Sequence, residues 1–173
     1  INPDENTASV IGIKENVHKV NIPTSINHKS KEYYVISILE NAFKNSKIKI
    51  VEFSKDSKLQ TIDENAFSYS TIKSIRIPSS VTSIGENAFY YCEQLEVIEI
   101  PDDSKLQTIG RCAFLSSSIK SIRIPSSVTS IGENAFTNSS LCIIEACNAE
   151  MIFMHQTAFK NCKKVLVMIS VHS

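Results

Sequence analysis

The chain has 173 residues, and its 18 Lys and Arg side chains balance its 18 Asp and Glu side chains. A neutral chain has no net electric field that would draw it to nucleic acid or to an acidic membrane. The longest purely apolar run near the C-terminus, residues 165–169, is also far too short to span a bilayer. We therefore expect neither a nucleic-acid partner nor a membrane span within the chain.

Residues 1–16 form an N-terminal flank that precedes the first recognisable pattern. This flank lacks the basic and apolar stretches of a secretion signal, and the chain starts at Ile1 rather than at methionine. We therefore interpret the chain as a mature piece or a fragment of a longer protein. A second irregular segment, residues 27–34, interrupts the pattern that follows and is predicted to be a loop.

An internal repeat dominates the rest of the chain. Residues 72–89 and 119–136 both read IKSIRIPSSVTSIGENAF and start 47 residues apart. An Ala-Phe dipeptide recurs every 22 to 25 residues, so each 47-residue unit combines one long coil and one short coil. The phenylalanines of this dipeptide are Phe43, Phe67, Phe89, Phe114, Phe136 and Phe159. The sequence thus predicts a repeat array in which two unit lengths alternate.

The first half of each repeat carries a strand pattern. At Ile72, Ile75 and Ile77, the last four residues alternate between apolar and variable, as in a strand with one buried face. Proline often follows, as Pro78 does here, and ends the strand where no ladder donor is needed. The other copies start at Val17, Ile48, Leu95, Ile119 and Leu141. One short strand per repeat is therefore predicted.

The second half of each repeat carries a helix-start pattern. Ser83 and Glu86 have the spacing of a capping box, in which hydroxyl and carboxylate each satisfy an orphan backbone donor. The same spacing recurs at Ser37/Glu40, Thr61/Glu64 and Ser130/Glu133. This spacing predicts a short helical turn, which is too short to be stable alone, so the Ala-Phe pair must dock against the strand residues.

The consensus Ile-Pro-x-x-Val-x-x-Ile-Gly-x-x-Ala-Phe, over about residues 17–170, resembles the BspA-like leucine-rich repeats of surface proteins in bacteria and parasitic protists. The resemblance implies an α/β leucine-rich repeat solenoid, a curved right-handed superhelix of six to seven repeats of 22–25 residues. Short parallel strands would line its concave face, and short helical turns would lie opposite. It also implies a cell-surface or secreted location and a role in adhesion or recognition.

The C-terminal segment, residues 147–173, departs from the consensus within a single solenoid that spans residues 1–173. Met151 and Met154 stand at the Val and Ile positions, while Phe153 and Gln156 replace the capping-box pair. Solenoid ends normally need caps that cover the last core layer. We interpret the segment as a degenerate last repeat or a cap, and both interpretations stay open.

Five cysteines are interpreted as free thiols. Cys92 and Cys162 follow the repeat phenylalanine by three residues and are predicted to be small buried side chains. Cys112 lies in the predicted helical turn and is expected to be half exposed. Cys142 and Cys147 are five residues apart on an extended segment, too distant to bridge each other. The histidines are scattered and no Cys-x-x-Cys pair exists, so no metal site and no cofactor are predicted.

The outward positions of the predicted strands form two columns. One column, read along the repeats, is Asn21, Glu52, Arg76, Glu99, Arg123, Glu145, and the column two residues earlier is Lys19, Ile50, Ser74, Val97, Ser121, Ile143. In parallel register, neighbouring strands lie about 4.8 Å apart, so each arginine would stand between two glutamates. The charges would then alternate along a striped, nearly neutral surface.

This surface has two interpretations. The paired charges could simply order the sheet, since each exposed pair contributes only about 0.2–1 kcal/mol. Alternatively, the apolar residues beside them form a protein-binding concave face, whose near-identical repeats favour a multivalent or low-affinity surface. The candidate residues are Ile50, Glu52, Ser74, Arg76, Val97, Glu99, Ser121, Arg123, Ile143 and Glu145. They predict a protein-binding module of a surface or secreted adhesin or antigen that recognises host, matrix or cell-surface proteins.

No catalytic motif accompanies these columns. The chain has no phosphate-binding glycine loop, no Gly-x-Ser-x-Gly elbow and no His-Glu-x-x-His, so we expect no enzyme. Asn138 begins a glycosylation sequon, which can be modified if the chain is secreted in a eukaryote. The alternative function is a structural spacer or self-assembly element without a ligand site, and the oligomeric state stays open.

Overall fold

The structure, a computed structural model, describes residues 1–14, 17–140, 143–146, 153–162 and 166–169. Its strands, in chain order, are β1 (Thr7–Val10), β2 (Lys19–Ile22), β3 (Ser25–His28), β4 (Lys31–Ile38), β5 (Ile50–Phe53), β6 (Thr61–Ile62), β7 (Ser74–Arg76), β8 (Ser83–Ile84), β9 (Val97–Glu99), β10 (Thr108–Ile109), β11 (Ser121–Ile124), β12 (Ser130–Ile131), β13 (Ile143–Ala146), β14 (Phe153–Met154) and β15 (Leu166–Ile169). Each full repeat therefore contributes two strands rather than one.

Two stacks of parallel strands run along the solenoid. The first strand of each repeat belongs to the front sheet, which consists of a four-stranded part, β2-β5-β7-β9, and a three-stranded part, β11-β13-β15. The second strand belongs to the back sheet, β1-β4-β6-β8-β10-β12-β14. The back-sheet strands of most repeats have only two residues, such as Ser83 and Ile84. Two residues are too few to show the alternation of a strand, so the sequence did not predict this second strand. The prediction of a parallel-strand solenoid is confirmed.

The N-terminal segments take part in the back sheet. Strand β1 lies within the predicted flank and pairs in parallel with β4. The side chain of Ala8, in β1, is buried in the core. Residues 27–34 were expected to be a loop, but β3 and the first half of β4 form an antiparallel hairpin. Lys29 and Ser30 at its tip have positive φ, which provides the tight reversal. The loop prediction is therefore wrong. The tight turn depends on positive φ angles at Lys29 and Ser30, and neither residue type signals such a turn in the sequence.

The core contains a continuous stack of aromatic rings. The six Ala-Phe phenylalanines stack from coil to coil with ring centroids 4.8 to 5.1 Å apart and interplanar angles of 3 to 16°. Phe67, Phe89, Phe114 and Phe136 are fully buried. Aromatic pairs at this distance contribute about 0.5–1.5 kcal/mol beyond the area that they bury. The regular phenylalanine spacing in the sequence therefore translates into the central column of the fold.

The segment around each phenylalanine is a turn ladder, not a helix. The amides of Asn65, Phe67 and Tyr69 donate to carbonyls of the next coil, at 2.7 to 3.0 Å. The amides of Ala66 and Ser68, between them, donate to carbonyls three residues back. A helix needs every amide to point along its own axis, so this alternation excludes one. The predicted short helical turns are therefore wrong for the described residues, none of which is helical.

Positive φ angles make this alternation possible. Asn65 has a φ of 55° and Tyr69 a φ of 59°, and corresponding pairs of left-handed residues recur in the other coils. The predicted capping box does not form here, because Ser83 lies within β8 and Oε1 of Glu86 accepts from Arg111 and Asn87 instead. Asparagine tolerates the left-handed region better than most residues. The recurring Asn of Glu-Asn-Ala-Phe is therefore a signal for the turn ladder.

Glycines allow the coils to approach closely beside this ladder. A Cβ added to Gly110 would lie 2.6 Å from the backbone carbon of Gly85, and one added to Gly132 would lie 2.6 Å from the amide of Arg111. Atoms at such distances overlap sterically. At the same position one coil before Gly85, Asp63 replaces glycine. The later coils thus require glycine for stacking.

A column of small polar residues runs beside the phenylalanines. Three residues after each phenylalanine stand Ser46, Ser70, Cys92, Ser117, Ser139 and Cys162. Cys92 is buried, as predicted, and Cys162 is half-buried. Cys112 was expected to be half exposed, but it is only 6% exposed because it begins a turn ladder covered by the neighbouring coils. Cys142 and Cys147 lie outside the described residues.

Candidate functional site on the front sheet

The exposed column of the front sheet contains two large apolar side chains. Ile50 and Val97 are 43% and 48% exposed, and Ser74 lies between them in the parallel register. The serine is small, so it leaves a shallow depression between two apolar walls. The structure thus brings together three predicted residues as one exposed stripe.

Ion pairs form beside this stripe, one within the charge column and one between that column and Lys19 of the neighbouring column. Arg76 Nη1 lies 2.9 Å from Glu99 Oε2 on the neighbouring strand, and Lys19 Nζ lies 2.6 Å from Glu52 Oε1. All four side chains are at least half exposed, so water screens both pairs. These pairs orient the long side chains along the sheet and contribute little to stability.

The front sheet is interrupted between β9 and β11. Among the described residues no strand ladder joins the two, and β11 instead begins a new sheet in which Ser121 and Arg123 pair in register with Ile143 and Glu145 of β13. The hydrogen-bonded ladder that would carry an uninterrupted charge row is therefore broken between β9 and β11. Arg123 Nε lies 2.8 Å from Oδ1 of Asp102. Asp102 belongs to the extra residues of the long coil and not to the charge column. Arg123 therefore also pairs with a carboxylate outside that column.

The alternation of long and short coils forms two notches at the ends of the front strands. The smaller notch, of about 480 Å³, lies above the short turn at Pro78 and Ser79. The long turns of the coils on either side wall it, through Ser54 and Lys55 on one flank and Asp103 on the other. A short turn between two longer ones necessarily leaves such a recess.

The larger notch, of about 920 Å³, lies at the interruption of the sheet. It is lined by Arg76, residues 96–103 and residues 121–123. It therefore combines the exposed Val97 with carboxylates and arginines, an arrangement typical of a small contact patch with a polar rim. Both notches share Arg76 and Asp103, so they form one continuous depression along the front face.

Most predicted residues border this depression. Arg76, Val97, Glu99, Ser121 and Arg123 line the larger notch, and Glu52 lines the smaller one. Ile50 and Ser74 lie on the same face outside both linings. Ile143 and Glu145 stand on β13, whose backbone alone is described. Sequence reasoning missed the turn residues at positions 101–103, although the alternation of unit lengths was the signal for them.

A second charge row lies on the turn ladder, where the sequence did not predict one. Arg111 contacts Oε1 of Glu86 over 2.9 Å and Oε2 of Glu133 over 3.4 Å, so a cation stands between two carboxylates of neighbouring coils. The hydrogen bond that Arg111 donates to the Glu86 carboxylate, together with the nearby charges, raises the pKa of Arg111. This is the Glu-Arg-Glu arrangement that we expected on the front sheet.

The turn ladder also presents a tyrosine cluster, formed by Tyr69, Tyr90 and Tyr91. Ring centroids are 5.5 Å apart for Tyr69 and each of the other two, and 4.6 Å apart for Tyr90 and Tyr91. Burial, followed by the neighbouring Tyr69 and Tyr91, raises the pKa of Tyr90 above its usual 10.0. The hydroxyl group of Tyr90 therefore keeps its proton at neutral pH.

The sequon asparagine lies at the edge of the turn ladder. Asn138 is exposed, and its Oδ1 accepts a hydrogen bond from Nδ2 of Asn161 over 3.0 Å. Its glycosylation stays a prediction. Among the described ranges, no three His, Cys, Asp or Glu side chains are grouped as metal ligands would be, and no helix is long and apolar enough to cross a membrane.

The repeat pattern matches a known family along most of the chain. The model of the BspA type leucine rich repeat region matches residues 36–166 in six copies. The chain therefore belongs to this family of leucine-rich repeat proteins, as the consensus predicted. A comparison with curated proteins gave no match.

Two solved structures have the same fold. The pneumococcal vaccine antigen PcpA is 24% identical, with a TM-score of 0.67 over 82% of this chain and 44% of that one. The leucine rich repeat protein TpLRR of T. pallidum is also 24% identical, with a TM-score of 0.74 over 84% of this chain and 66% of that one. The chain thus spans less than half of PcpA and about two thirds of TpLRR. At this identity the likeness concerns the fold alone.

Proposed function

We propose that the chain is a protein-binding repeat module of a cell-surface or secreted adhesin or antigen, and that it contacts its ligand through the front face. The observation that carries this proposal is the depression along the front strands, where the 48% exposed Val97 stands among carboxylates and arginines. Family membership supports a binding module, and PcpA, which shares the fold, is described as a vaccine antigen.

The chemistry of the depression favours binding over catalysis. Its arginines already contact carboxylates, Arg76 that of Glu99 and Arg123 that of Asp102. Such pairs position a partner by shape and by hydrogen bonds, but they offer no nucleophile beside a base. Exposed apolar side chains within a polar rim are the usual centre of a protein contact. We therefore propose recognition of a protein surface rather than a reaction.

The test compares charged substitutions on the front and back sheets. Ile50→Asp and Val97→Asp place a carboxylate on the proposed contact surface, while Thr108→Asp places the same charge on the exposed back sheet. Binding would be measured to a panel of immobilised matrix proteins and to intact cells. The proposal expects the front variants to lose at least tenfold in affinity and Thr108→Asp to bind as the wild type does.

Folding of all three variants would be verified by circular dichroism and thermal unfolding. Equal binding by front and back variants would contradict a role for the front face. Loss of binding in Thr108→Asp alone would place the contact on the back sheet and would also contradict the proposal.

A further inference from the structure

The tyrosine cluster adopts a backbone conformation that does not suit tyrosine. Tyr69 and Tyr91 have φ angles of 59° and 53°, in the left-handed region where a bulky side chain is strained. The corresponding residues of the other coils are Asn45, Ser116, Asn138 and Asn161, and asparagine tolerates this region better than tyrosine does. The fold therefore needs a left-handed residue here, but it does not need an aromatic one.

Strained residues that the fold itself does not require occur preferentially at functional sites. Tyr69 is 49% exposed and Tyr91 is 36% exposed, so much of the ring surface faces solvent. Tyrosine is enriched at protein interfaces because it combines a large apolar face with a hydroxyl group. Two adjacent coils thus expose aromatic surface at a cost in backbone strain.

Lysines flank the cluster on its N-terminal side. The amide of Asn45 donates to the carbonyl of Ser68, so Lys44 lies beside the coil of Tyr69. Lys14, Lys44 and Lys47 line one cavity of about 300 Å³ together with Asn45. Since Asn45 occupies the position of Tyr69 one coil earlier, this basic cavity borders the tyrosine column directly.

The basic strip continues along the coil edge and then ends. The amide of Lys73 donates to the carbonyl of Lys49, so these two residues stand in register on neighbouring coils. In the described part of the chain, no carboxylate pairs with Lys44, Lys47, Lys49 or Lys73. The next coil along the same edge carries Glu93 and Glu96, so the strip of free cations is short. The chain is neutral as a whole, but its charge is segregated at this edge.

We infer that the tyrosine cluster and the adjoining lysines form a second docking surface, whose partner is an acidic protein segment. An apolar side chain of the segment would lie on Tyr69 and Tyr91, and its carboxylates would face the lysines of the preceding coils. The tyrosines stand on the turn ladder and not on the front sheet, so this surface does not depend on the function proposed for the depression.

The geometry favours a protein segment over nucleic acid or a sulfated glycan. The centroids of the three tyrosine rings are 4.6 to 5.5 Å apart, so no gap between the rings is wide enough for a nucleobase to insert. A polyanion that repeats its charge along its length gains most from a long basic groove. The strip here is short and ends at Glu93, which suits a segment with a few carboxylates at one end.

The test uses a random dodecapeptide display library, selected on the wild-type protein. Selected peptides would be measured against the double variant Tyr69→Asn/Tyr91→Asn, the triple variant Lys44→Gln/Lys47→Gln/Lys73→Gln, and Val97→Asp as the front-face control. Heparin chromatography of the same proteins would report on polyanion binding. The asparagine substitutions insert the residue that other coils use, so the thermal unfolding midpoint should stay equal or rise.

The inference expects peptides enriched in Asp and Glu around an apolar residue. Their affinity should fall at least tenfold in both the tyrosine and the lysine variants, weaken with salt, and stay unchanged in Val97→Asp. Peptides without acidic enrichment, equal affinity in the tyrosine variant, or a tyrosine variant with a clearly lowered unfolding midpoint would overturn it. Retention on heparin that depends on the lysines but not on the tyrosines would also overturn it, in favour of a polyanion. Loss only in Val97→Asp would assign the peptides to the front face, which refutes this inference without refuting the proposed function.

Discussion

The thiol of Cys92 donates a hydrogen bond to the backbone carbonyl of Phe67 on the preceding coil, over 3.0 Å. Oγ of Ser70 lies 3.5 Å from the same sulfur. Burial raises the pKa of Cys92 to about 11, although its contacts with Ser70 lower it in part. The cysteine thus links neighbouring coils in a place that serine occupies in four other coils of the column.

This pKa predicts a pH dependence of stability at alkaline pH. An unfolded thiol ionises near its ordinary value of 9.0, whereas the folded Cys92 holds its proton to about 11. The protonated thiol therefore stabilises the fold fully below pH 9, and this contribution of about 3 kcal/mol is lost as the pH rises to 11. Urea unfolding of the wild type and of Cys92→Ser across this range should show a steeper decline in the wild type. Parallel curves would contradict the assignment.

Truncation of a ring in the middle of the phenylalanine stack should be strongly destabilising. Phe89 lies between Phe67 and Phe114 at centroid distances of 5.0 and 5.1 Å and is fully buried. Phe89→Ala should therefore reduce the free energy of unfolding by about 3–5 kcal/mol. The matched control is Phe159→Ala at the half-buried end of the described stack, which should cost clearly less in the same chemical unfolding experiment. Equal losses of unfolding free energy in the two variants would show that stacking within the column does not account for the destabilisation.

The close approach of the coils predicts intolerance to a single methyl group. Gly110→Ala would place a Cβ 2.6 Å from the backbone of Gly85, and relief of this overlap should cost about 1–3 kcal/mol. Asp63→Ala is the matched control, because this position of the column already carries a Cβ. Thermal unfolding should show a lowered midpoint for the glycine variant alone. A tolerated Gly110→Ala would mean that the coils can move apart without loss.

The ion pair between Arg76 and Glu99 should contribute little to stability. Its side chains are 69% and 56% exposed, so solvent screening limits the coupling energy to about 1 kcal/mol or less. A double-mutant cycle with Arg76→Ala and Glu99→Ala, measured by urea unfolding at low and high salt, would determine it. A coupling above about 2 kcal/mol that persists in salt would assign the front charges a structural role.

The sequence predicted the fold best at positions that recur in every repeat. The spacing of the phenylalanines predicted an inward column, and Phe67 and Phe89 stack as that spacing requires. The helical turns were wrong because the capping pattern Ser83-x-x-Glu86 is local, whereas the amides of this segment bond to the next coil. A pattern within one coil cannot show hydrogen bonds between coils.

The candidate site was predictable as a set of columns but not as a surface. Ile50, Ser74 and Val97 stand in the expected register, because strand alternation determines which side chains face outward. The interruption before Ser121 and the ion pair of Arg123 with Asp102 depend on how long and short turns fit together. That fit is a property of neighbouring coils in three dimensions.

The turn ladder has a consequence for how such a protein can change its length. Alternate amides of each turn ladder donate to the next coil, and residues 72–89 and 119–136 are identical, so these two segments present the same interface to their neighbours. Recombination between the two copies would delete or duplicate one long and one short coil while every junction stayed of a kind already present. Gain or loss of repeat pairs by recombination would therefore lengthen or shorten the proposed binding surface without any new interface between coils having to evolve.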